Sequence, residues 1–119
     1  MFDIHDCIGL KFLFQVRVGL SPLKYHKKRH NFADTSDDTC DCGLASEDIA
    51  HYLFFCPLFG IPRLALKTSV SNILNQNNLI ELSHDVDTYI FGHHLLSLMD
   101  NKSIILSTIA FIKDTGRFL

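Results

Sequence analysis

The sequence predicts a small, mainly α, multi-helix domain with one irregular turn that carries cysteines. Apolar residues recur at helical spacing in separate blocks, among them Ile8, Phe12 and Val16, then Ile61, Leu64, Val70, Ile73 and Leu74, then Ile104, Ile105, Ile109 and Ile112. Breakers stand between the blocks: Gly19, Pro57 and the run Asn75-Gln76-Asn77-Asn78. The chain has 119 residues, 47% of them apolar and 20% charged, which is enough for one modest core and too oily for disorder throughout. No repeat of 20–50 residues and no low-complexity tract is present.

The elements follow in order. A first amphipathic helix is expected over roughly 7–19, closed by Gly19. Ser21-Pro22 reads as N-cap and first residue of a second helix, which carries Leu23, Tyr25 and a basic cluster. From Asn31 to Gly43 the chain is polar and turn-rich. Ser46 followed by Glu47-Asp48 reads as the cap and acidic first turn of a helix that must end near Cys56, because Pro57 disfavours helix at its predecessor. A longer helix is expected over about 59–75 and a last one over about 101–115. Tyr89-Ile90-Phe91-Gly92 reads as a helical turn or a short strand. One domain over 1–119 is expected, in three parts: a basic helical arm (1–33), a cysteine-bearing segment (34–57) and a helical tail (58–119).

The formal charge of −2 hides an asymmetry. Lys11, Arg17, Lys24, Lys27, Lys28 and Arg29 lie between Cys7 and Ala33 with no acid among them. Asp34, Asp37, Asp38, Asp41, Glu47 and Asp48 follow with no base among them. Lys24, Lys27 and Lys28 share one helical face, with Tyr25 and Arg29 on an adjoining one. Such a face suits a phosphate backbone with an occasional stacked base, and it equally suits a solvated helix surface. No apolar run approaches a membrane span. The acidic start Met1-Phe2-Asp3 lacks the basic region of a signal peptide. Membrane partners are therefore not expected, and an intracellular setting, nuclear or cytoplasmic, is. There, four cysteines imply reduced thiols or a metal rather than a disulfide framework.

The cysteine spacing carries the chemistry. Cys40, Cys42, His51 and Cys56 form C-x-C-x8-H-x4-C. Zinc takes four such ligands at tetrahedral corners. Cys40 and Cys42 can supply one edge from a tight turn, and Gly43 lets the backbone fold so that amides face the sulfurs. His51 and Cys56 would supply the other edge. On a straight helix they point about 140° apart, so the helix must loosen before Cys56 for the four donors to come within about 4 Å. Cys42 and Cys56 as small buried hydrophobes, with His51 at the surface, is the competing reading.

An ordered series of short motifs resembles the C-terminal segment of LINE-type (non-LTR) retrotransposon polyproteins, the part after the reverse transcriptase. It runs through Ile4-His5-Asp6, Gly9-Leu10-Lys11, Arg17-Val18-Gly19-Leu20-Ser21 and Arg29-His30-Asn31-Phe32. It continues with Cys40, Cys42-Gly43, Glu47, His51-Tyr52-Leu53, Cys56-Pro57, Phe59 and Arg63, and in the tail with Phe91-Gly92, Asn101-Lys102-Ser103-Ile104, Phe111-Ile112 and Arg117-Phe118. The resemblance covers nearly the whole chain. It implies a zinc-knuckle-like Cys-Cys-His-Cys cluster at Cys40, Cys42, His51 and Cys56, and contact with RNA or DNA. Arg17, Lys24, Tyr25, Lys27, Lys28 and Arg29 are the candidate nucleic-acid contacts. Cys7 stands where relatives carry Pro and reads as a core thiol.

The resemblance also implies what the chain lacks. Reverse transcriptase holds two Mg²⁺ on palm carboxylates in Tyr-x-Asp-Asp. Here Asp37-Asp38 follows Ser36 instead, and the chain is too short for a palm. A non-catalytic C-terminal remnant, rather than an enzyme, is expected. The lost polymerase part is then a second candidate partner, and a structural or protein-contact domain stapled by zinc is the alternative reading. A remote alternative is a Mg²⁺-dependent nuclease built on Asp87, Asp100 and Lys102. The Pro usual before the first Asp is absent there, and no strands are expected to hold the site. His93-His94 reads as a polar loop pair.

Overall fold

In a computed structural model, the described residues are 4–17, Leu23 and 39–116, with side chains described from Leu10 onward in the first helix. Among the described residues there are four α-helices, α1 (Ile4–Arg17), α2 (Gly60–Gln76), α3 (Val86–Phe91) and α4 (Leu98–Thr115), with shorter helical turns at His51–Phe55, Pro57–Phe59 and Ile80–His84. Among the described residues there is no strand, only an isolated antiparallel bridge between Thr39 and Ser46. The mainly α reading therefore holds, with the cysteines in the irregular turn.

Helix ends follow local chemistry. α4 begins three residues earlier than expected because the Ser97 hydroxyl accepts from Asp100 N–H. It ends at Gly116, which takes the left-handed conformation. α2 accommodates Pro62 in its first turn, where an amide hydrogen has no helical partner to lose. The Tyr89–Gly92 piece resolves to helix, the end of α3. Gly92 then turns at φ 79°, and a Cβ there would strike the Asn101 carboxamide. That close approach is used: Asn101 Oδ1 accepts from His93 N–H, and its Nδ2 donates to His93 O.

α2 and α1 both pack on α4, and α3 closes the end of this layer. The core gathers Phe12, Leu13 and Val16 from α1, Leu66, Val70 and Leu74 from α2, Tyr89 and Ile90 from α3, and Ile104, Ile109, Phe111 and Ile112 from α4. Tyr52, Leu53 and Phe54 join it from the segment that bears His51. The metal-ligand candidates are thus tied to the main core. No described helix is long and apolar enough to cross a membrane.

The helix expected to start at Ser46 is shifted. Ser46 is spent in the bridge to Thr39. Asp48 caps instead, its Oδ1 accepting from His51 N–H at 2.8 Å. The expected second helix, with Lys24, Tyr25, Lys27, Lys28 and Arg29, lies outside the described residues, as does the Cys7 side chain.

A candidate metal centre

The first ligand edge is a turn closed by its own backbone. Cys40 N–H donates to Ala45 O at 2.8 Å, and Gly43 N–H donates to Cys40 O at 2.8 Å. Gly43 sits at φ 79°, a conformation that favours glycine. The amides then face the sulfurs, as expected from the sequence. Backbone hydrogen bonds from Leu44 and Ala45 hold the Cys42 thiol below its ordinary range. Cys40 is the contrast: burial pushes its thiol up to about 12, against a smaller lowering by a backbone bond from Cys42.

The second edge depends on a change of helix type. His51–Phe55 is one turn of π-helix, closed by Cys56 N–H donating to His51 O at 2.8 Å. That i to i+5 bond widens the turn, so the residue five positions on returns beneath the first. Cys56 then leaves in an extended conformation, φ −66° and ψ 121°, as its proline neighbour requires. This is the loosening the ligand spacing demanded.

The four donor atoms converge. Cys40 Sγ lies 3.6 Å from Cys56 Sγ, and Cys42 Sγ lies 3.2 Å from His51 Nε2. All four fall within 4.8 Å of one another, a wider envelope than the 4 Å expected. A tetrahedron with metal–sulfur bonds near 2.3 Å has sulfur–sulfur edges of about 3.8 Å and sulfur–nitrogen edges of about 3.6 Å. Cys40, Cys56 and His51 are buried, and Cys42 is half-buried. The set could hold a metal ion, and among the described residues no second group of this kind occurs.

Two further side chains hold the ligand turn, and sequence reasoning gave neither this role. Tyr52 projects into the core against Phe12, Phe59 and Phe111, each edge-on at 5.2–5.7 Å, and its hydroxyl meets Thr115 Oγ1 at 2.7 Å. Arg63 reaches back from α2 with three bonds: Nε to Leu53 O at 2.8 Å, Nη1 to Cys56 O at 2.7 Å and Nη2 to Tyr52 O at 3.0 Å. Burial holds its guanidinium somewhat below its ordinary range. An Arg seven residues beyond the last ligand carries no local signal of this contact.

No protein family, curated protein or solved structure matches this chain.

The other candidate residues are scattered. Arg17 is exposed at the end of α1, but its Nε donates to Ile90 O at 2.8 Å and its guanidinium lies over the Phe91 ring, tying α1 to α3. His93 and His94 stack on each other at 4.4 Å in the loop before α4, and His93 Nδ1 accepts from Leu95 N–H. Asp87 lies in the first turn of α3, Asp100 and Lys102 in α4, so the acids and lysine of the nuclease reading stand on helices rather than strands. Asp100 accepts from Asn77 Nδ2.

Proposed function

We propose that the protein is a zinc-knuckle-like nucleic-acid-binding module, derived from the C-terminal region of a LINE-type retrotransposon polyprotein and without catalysis of its own. The convergence of three sulfurs and one imidazole nitrogen within 4.8 Å carries this reading. Zinc is the metal that suits it: thiolate and imidazole are its preferred ligands, and four protein donors leave no open position for chemistry. Bound zinc would supply folding energy by cross-linking the Cys40–Gly43 turn to the His51–Cys56 turn. The family resemblance and the basic cluster Lys24, Lys27, Lys28 and Arg29 support a phosphate-backbone partner, RNA or DNA. The test is a gel shift of zinc-loaded protein on RNA, single-stranded DNA and duplex DNA across a salt series. Binding should fall steeply with salt and weaken on chelation. Absence of binding at low salt on all three would overturn the nucleic-acid reading.

One observation favours a second reading, in which zinc only staples the fold and the partner is a protein, the polymerase part of the parent polyprotein foremost. Tyr52 and Arg63 anchor the ligand turn deep in the domain, as a purely structural site requires. Binding to nucleic acid that ignores salt, or none at all, would favour it.

A further inference from the structure

Three sulfurs this close form a thiol cluster as well as a ligand set, and their access to solvent differs. Cys40 is 4% exposed and Cys56 is fully buried, whereas Cys42 is half-buried at the rim. A small oxidant from solvent meets Cys42 first. Cys40 and Cys56 stand behind it, with every donor atom of the cluster inside 4.8 Å. Cys40 is two residues from Cys42 in the same tight turn, where a closed ring would force the disulfide dihedral away from its preferred range. Cys56 arrives from a separate segment and has no such constraint.

We infer that Cys42 is a site of oxidative modification by hydrogen peroxide and that Cys56 resolves it. The Cys42 thiolate attacks one peroxide oxygen. An S–O bond forms, the O–O bond breaks, and the departing hydroxide takes a proton to become water. Cys42 is oxidised by two electrons to the sulfenic acid and the peroxide is reduced. The Cys56 sulfur then attacks Cys42 Sγ. An S–S bond forms, the S–O bond breaks, and the second hydroxide leaves with the proton of the Cys56 thiol. Two thiols and one peroxide thus give one disulfide and two waters. The product has lost two of its four donors, so it cannot retain a metal. That consequence rests on the zinc reading; the oxidation does not.

The test treats the full chain, zinc-loaded and chelator-stripped, with hydrogen peroxide, and follows mass, released zinc and disulfide mapping. The stripped protein should lose about 2 Da, the two hydrogens of one disulfide, with the link mapped to Cys42 and Cys56. The loaded protein should release its zinc in step with the same link. A cyclic 1,3-diketone added with the peroxide should trap the sulfenic acid on Cys42 of the unaltered chain. Cys42→Ser removes both the oxidised sulfur and one end of the link, so the loss of about 2 Da should be absent at the peroxide dose that converts the parent. The trapping arm keeps the result readable if that variant folds poorly. A diketone adduct on Cys40 or Cys56, a link that omits Cys42, or no disulfide in the stripped protein would overturn the inference. Failure of the zinc reading is separate, and shows as no zinc in the protein before peroxide is added.

Discussion

The guanidinium of Arg63 donates to the carbonyls of Tyr52, Leu53 and Cys56, clamping the end of the ligand turn from α2. Arg63→Ala should cost about 3 kcal/mol, from charge-assisted bonds discounted for partial exposure. Chemical denaturation of the metal-free protein reads that loss. Arg63→Lys should recover little of it, because an ammonium cannot fork across three acceptors. Cys40 gives a pH dependence with a definite sign. Its thiol lies at about 12 in the folded chain against an ordinary 9.0, so the protonated form favours folding. That contribution is complete below about pH 9 and is lost as the pH climbs toward 12. The metal-free protein should therefore lose stability in alkali, seen as a falling Tm. Metal binding has the opposite slope, because the ion displaces thiol protons and competes better as they become scarce.

Among the elements, the π-turn His51–Phe55 matters most, since it converts a spacing unsuited to a straight helix into a convergent pair of ligands. Its shape was legible in part. C-x-C-x8-H-x4-C required a loosened helix and Pro57 supplied the reason, but the hydrogen-bond class of the turn was not written in any single residue. Its start was misread, because Ser46 and Asp48 are both good caps and only the pairing of Ser46 with Thr39 decides between them. The long helices were read from their apolar stripes to within a few residues. The roles of Tyr52 and Arg63 were invisible because each depends on partners 7 to 63 positions away. Tyr52→Ala removes the ring that joins this turn to Phe12, Phe59 and Phe111. It should cost about 3–5 kcal/mol, as for other large core aromatics. Amide hydrogen exchange should show the loss first in 51–56, with α2 and α4 protected longer.

At the scale of the whole molecule, the metal cluster, the helical core and the basic arm are separable claims. Lys24, Lys27 and Lys28 lie outside the described residues, so the arm stands on charge and spacing alone. Changing all three to Ala should lower the salt slope for duplex DNA by about two to three units while leaving metal content unchanged. Equal binding by parent and variant at every salt concentration would make the arm a solvated face. The cluster stands on geometry, and one measurement reaches it directly: titration of the metal-free, reduced protein with zinc against a competing chelator, on the parent and on Cys56→Ser. The parent should take up one zinc per chain, and the amides of its 39–60 region should exchange more slowly as it does so. Cys56→Ser should bind much more weakly, since one thiolate corner is gone. A parent that binds no zinc, or a variant that binds it as tightly, would contradict the four-ligand site.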